Sequence, residues 1–80
     1  MSDRIKFIWD FHGINGKPTA EHHIKHLGEF VEAKNLKNIL LGVEQLAQSH
    51  HIAYMVVDKE MMDSLRAILK PNRGQFYNES

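Results

Sequence analysis

Cysteine is absent from the 80 residues, which excludes disulfides, thiolate metal sites and a cysteine nucleophile. An excess of charge of either sign is missing too: ten Lys+Arg balance ten Asp+Glu, for a formal charge of +0. No broad positive field exists to gather nucleic acid or an anionic membrane, and neither is expected as a partner. Long apolar runs are also lacking. The longest, residues 52–57 (IAYMVV), is far too short to cross a bilayer. The opening MSDRIK has nothing of a signal peptide's apolar stretch, so a cytoplasmic protein is expected. There is no G-x-x-x-x-G-K, G-x-G-x-x-G or G-x-S-x-G, which leaves nucleotide-binding and hydrolase readings without support. What remains is a chain with 42% hydrophobic and 25% charged residues, ordinary globular usage, read as a single domain over residues 1–80. Its unusual component is six histidines.

Residues 5–11 read as a strand, with Ile5, Phe7, Trp9 and Phe11 alternating onto one face. A loop follows at 12–17, where two glycines and an asparagine supply positive φ cheaply. Pro18 and Thr19 open a helix, with Thr19 as N-cap or Pro18 at the first helical position. Its apolar stripe is Ala20, Ile24, Leu27, Phe30 and Val31, and Asn35 is a left-handed stop. Residues 38–46 fit both periods. Gly42 in their middle and the short distance to the next strand favour a strand. Residues 52–57 form the clearest strand, apolar on both faces. Asp58 caps a second helix with Met61, Met62, Leu65, Ile68 and Leu69 on one side; Pro71 and Gly74 end it, and residues 75–77 form a short last strand.

The order is β-α-β-β-α-β, the split βαβ signature of a ferredoxin-like α+β sandwich: an antiparallel sheet with two helices on one face. In that fold the first and third strands are central, as their apolar content demands. The uncovered sheet face, apolar along strand three, is expected to meet a second copy of the chain, giving a homodimer.

This element order, the apolar open face and the His26-Leu27 pair within helix one resemble the dimeric α+β barrel group. That group includes muconolactone isomerase-like, EthD-like, YCII-like and stress-responsive barrel proteins. The resemblance implies a homodimer with a pocket between helices and sheet. It is architectural and does not extend to a specific motif. The YCII-like branch pairs a helix histidine with an aspartate; His26 matches the first, and no residue here matches the second.

Topology is expected to bring His12, His22, His23, His50 and His51 to one rim, with His26 one turn deeper and Lys70, Asn72 and Arg73 nearby. His22 and His26 are spaced i, i+4, which suits chelation of Zn²⁺, Ni²⁺ or Cu²⁺, with a third ligand from His12 or His51. That pair is the one place where a transition metal is considered; otherwise no cofactor is expected. Asp10 and His12 share a strand face, as an orienting carboxylate–imidazole pair would. The loop at residues 70–74 resembles an anion-catching turn near the positive end of helix one.

Two functions follow. The first is a binding or accessory module, a homodimer whose rim (Trp9, His12, His50, His51 and Arg73) holds a small anion, a metal or a partner. The alternative is a small cofactor-free isomerase- or lyase-like enzyme using His23 or His26 as general base beside Trp9.

Overall fold

A computed structural model of the chain describes residues 3–77. Its elements are β1 (Arg4–His12), α1 (Gly16–Ala33), β2 (Leu40–Ala47), β3 (His50–Asp58), α2 (Met62–Leu69) and β4 (Arg73–Tyr77), with a short 3-10 turn at Lys59–Met61 before α2. The strands form one sheet in the order β2-β3-β1-β4, antiparallel at every junction. This is the ferredoxin-like topology, with the two most apolar strands in the centre. The segment 38–46 does supply a strand, as Gly42 and the short connection suggested, but it runs over Leu40–Ala47, with Asn38 left-handed at φ 57° outside it.

Strand parity divides the sheet into two sides. Ile5, Phe7 and Trp9 of β1 and Ala53, Met55 and Val57 of β3 face the helices, where they bury Ala20 and Leu27 of α1 and Leu65 of α2. Burying each large side chain of this core contributes about 1.5–3 kcal/mol. Trp9 also ties two elements together, since its indole Nε1 donates to the Leu69 carbonyl at 3.3 Å, satisfying a group that the end of α2 leaves open.

The helix boundaries differ from expectation for local reasons. Helix α1 begins at the buried Gly16, where a Cβ would sit 3.0 Å from the Phe11 carbonyl oxygen and 3.1 Å from His51 Nδ1, so a side chain would be crowded. Pro18 therefore falls third in the helix, where its missing N–H is not needed. Thr19 is not the cap; its hydroxyl donates back to the Asn15 carbonyl at 2.7 Å. Asn35 does stop the helix, with φ 55°. Leu36 N–H donates to Val31 and Asn35 N–H to Glu32, the two bonds of a Schellman motif. Asp58 makes no side-chain cap bond and instead lies 3.7 Å from Arg4 Nε. Helix α2 ends at Lys70, held left-handed at φ 49°, while Gly74 lies within β4 rather than at the stop.

The open side of the sheet corrects one expectation. Ile8, Ile52 and Val56 point away from the helices, yet they are 2%, 2% and 0% exposed. Longer neighbours on the same side roof them. Lys6 Nζ lies 4.5 Å from the centre of the Tyr54 ring and 3.9 Å from Glu44, and Arg4 donates to the Val56 carbonyl at 3.2 Å and to that of Asn38. The second apolar face of β3 is already covered within one chain.

Candidate ligand-binding rim

A cluster of polar side chains lies on the open side where β1, β3 and β4 meet. Asp10 sits on the central strand and is reached diagonally from both neighbours, because His12 pairs with His50 and Ile8 with Arg73. His50 Nε2 lies 2.7 Å from Asp10 Oδ1. Arg73 binds the same carboxylate through two bonds, Nε to Oδ2 at 3.2 Å and Nη2 to Oδ1 at 3.1 Å. A forked guanidinium matches a carboxylate in this way. Burial pushes the Asp10 carboxyl up, but the hydrogen bonds and charges of His50 and Arg73 outweigh it and hold the group below its ordinary value of 3.8. Asp10 is therefore an acceptor only, so His50 Nε2 carries the proton and its Nδ1 is left with a lone pair in the neutral ring.

Asn72 fixes the loop before β4. Its N–H donates to the Ile8 carbonyl at 2.9 Å, and its Oδ1 accepts from Asp10 N–H at 2.8 Å. The side chain thus continues the β1–β4 ladder beyond the last backbone pair. His12 completes the cluster by stacking on His50, with ring centres 4.2 Å apart and planes 18° apart. Asp10 and His12 do share a face, but the carboxylate bonds to His50 across the strands rather than to His12.

The sheet divides the expected single rim into three groups. His12, His50 and Arg73 lie together on the open side. Trp9, His23 and His51 lie on the helix side, where Trp9 and His51 are buried. His23 sits between Trp9 and Phe11, with ring centres 4.8 and 5.7 Å away. Its Nε2 and the Nδ1 of His51 are buried without a hydrogen-bond partner among the described residues. Burial, reinforced by the charges of His26 and His22, pushes the His23 pKa below 6.5. His22 and His26 occupy the outer face of α1, their Nε2 atoms 3.0 Å apart, with His26 Nδ1 3.3 Å from Glu29. Neither His12 nor His51 supplies them a third ligand, and no group of three or more His, Cys, Asp or Glu suited to a metal is present among the described residues. Arg73 turns to the open side, so the loop at 70–74 does not aim its guanidinium at the start of α1.

Asn72 as a clamp and Asp10 as the shared partner of His50 and Arg73 were not read from the sequence. The signal for the second was there, in the parity of Asp10 and His50 once an antiparallel β1–β3 register is assumed. The sequence matches no known family model, no curated protein and no solved structure. Among the described residues, no helix is long and apolar enough to cross a membrane.

Proposed function

We propose that this chain is a small binding module whose rim of His12 and Arg73, held in place by Asp10 and His50, takes a small oxyanion such as phosphate or a carboxylate. The observation that carries this reading is the saturation of Asp10 by two partners. Arg73 has five N–H donors and gives two of them to Asp10. The remaining donors and the His12 ring form a surplus that an anionic acceptor satisfies. Homodimerisation through the open sheet face is a separate proposal, in line with the resemblance to dimeric α+β barrels; with the apolar face of β3 covered, it rests on the exposed Leu40 at the β2 edge. The charges of that face are paired within it, Arg4 with Asp58, Lys6 with Glu44 and Arg73 with Asp10. A second copy would bury no unmatched charge there.

The test is the urea midpoint with and without inorganic phosphate at matched ionic strength. Phosphate raises the midpoint of the wild type at about pH 7. In Arg73→Gln the phosphate increment disappears, whatever that variant's own stability. An equal increment in both proteins rejects the rim.

A second reading, a cofactor-free isomerase- or lyase-like enzyme, draws support from His23, whose neutral ring and unpartnered Nε2 suit a general base. It requires a substrate to reach Trp9 between α1 and the sheet. Protection of His23 from carbethoxylation by diethyl pyrocarbonate would count against it. His22 and His26 are the residues that would hold a metal in either reading, as a two-imidazole site only.

A further inference from the structure

A half-open pocket of about 480 Å³ lies on the helix side of β4, beneath α2. That volume is within the range of small-molecule sites. Ile5, Phe7, Met62 and Phe76 give it apolar walls, and Arg66 is among its lining residues. We infer that this pocket binds a monocarboxylate with an apolar body, its hydrocarbon against Met62 and Phe76 and its carboxylate on Arg66.

Arg66 makes no ion pair with any described residue. The other lining guanidinium, Arg73, is committed to Asp10, and no carboxylate lines the pocket. A cavity of mixed lining, with apolar side chains beside one guanidinium that has no ion-pair partner among the described residues, selects for a negative group attached to a hydrophobic one. Two further features favour an occupant. Phe76 is 67% exposed, an aromatic surface that a ligand would remove from water. Gly74 leaves the floor open: a Cβ there would meet Ile5 Cγ2, the Lys6 carbonyl oxygen and Phe7 Cδ1, each at 3.8 Å, an ordinary contact. Its φ is not positive, so neither packing nor backbone requires glycine at this position. What its missing side chain preserves is space. The pocket shares the 71–74 loop with the rim but lies across the sheet from His12 and His50.

Hydrocinnamate is the probe, followed by amide NMR on the full chain. Saturable shifts are expected at Met62, Arg66, Gly74 and Phe76, and not at His12 or His50. Hydrocinnamyl alcohol, which lacks the charge, is expected to bind about tenfold more weakly, and Arg66→Gln should weaken hydrocinnamate by about the same factor. Gly74→Val fills the floor with a good strand former, so it should keep the urea midpoint and abolish the shifts. Absence of saturable shifts in the wild type, equal binding of acid and alcohol, or undiminished binding by Gly74→Val would each overturn the assignment. Shifts confined to His12, His50 and Arg73 would overturn it while supporting the rim.

Discussion

His50 Nε2 lies 2.7 Å from Asp10 Oδ1, although the two residues are 40 positions apart in the chain. The contact exists because β1 and β3 are antiparallel neighbours in a register that sets Asp10 one diagonal step from His50. Arg73 makes the mirror-image approach from β4. One carboxylate therefore joins three strands on the side of the sheet that no helix covers, and it does so where the proposed ligand would sit.

Asp10→Asn keeps the shape of this cluster and removes its charge. It should destabilise the fold by about 1–2 kcal/mol, the range for charge-assisted hydrogen bonds discounted for partial exposure. A cycle with His50→Gln reads the coupling directly: the two single losses should exceed the loss in the double variant. Additive losses would mean that the His50 contact contributes nothing. The acid limb has a definite sign. Because the folded carboxyl titrates below 3.8, its contribution is present above that value and lost as pH falls through the folded pKa.

Much of this fold was legible because periodicity reports burial. Phe7, Trp9, Ala53 and Met55 alternate as two-sided central strands must, and Leu27 lies on a helical stripe. Gly42 tipped an ambiguous segment correctly. The helix ends were less legible. The start of α1 falls at Gly16, where a side chain would crowd Phe11 and His51 from across the fold, and Lys70 takes a left-handed turn usually given to glycine or asparagine. The rim was half legible. Chain direction brought the histidines to one end of the sheet, but assigning a side to each needed the register, which separates His50 from His51 although they are adjacent. The burial of Ile52 and Val56 by Lys6, Tyr54 and their neighbours had no local signal at all.

Gly42 and Tyr54 face each other across β2 and β3, and the ring lies over the glycine. A Cβ at position 42 would come 2.4 Å from Tyr54 Oη and 2.5 Å from Cζ, so Gly42→Ala must displace the ring and its contact with Lys6. A loss of about 1–2 kcal/mol is expected, as for other overpacking changes. In a Tyr54→Ala background the same substitution should be neutral or stabilising, since alanine suits a strand better than glycine. A cost that persists without the ring would place the strain in the backbone instead.

The dimer proposed through the open face should appear by sedimentation as twice the chain mass at about tens of micromolar, where an association of ~8 kcal/mol is populated. Leu40 is on that face and 42% exposed. Leu40→Glu should shift the equilibrium to monomer with little effect on the far-ultraviolet spectrum. A wild-type monomer across that range would remove the dimer from the proposal and leave the rim intact.

His23 gives the fold a pH dependence in a window near neutrality. Its slot between Trp9 and Phe11 disfavours the charged ring, and the nearby His26 and His22 add repulsion when they protonate, so its pKa falls below 6.5. The unfolded chain then binds more protons than the folded one. Stability is therefore fully present above about 6.5 and declines as pH falls from there towards the lower folded value. Asp10 does not contribute in this window, since its carboxyl titrates below 3.8. His23→Phe keeps a flat ring in the slot and removes both the titration and the unpartnered Nε2. Its urea midpoint should therefore change less than that of the wild type between about pH 7.5 and about pH 5.5. At the upper pH the variant should be as stable as the wild type or more so, because a buried acceptor without a donor has been replaced by carbon. His22→Gln combined with His26→Gln should shift the wild-type transition to higher pH for the onset of His23 protonation, visible in its ring resonances. Identical pH dependence of the midpoint in wild type and His23→Phe would show that the His23 ring is solvated in solution, and the buried aromatic slot would have to be given up.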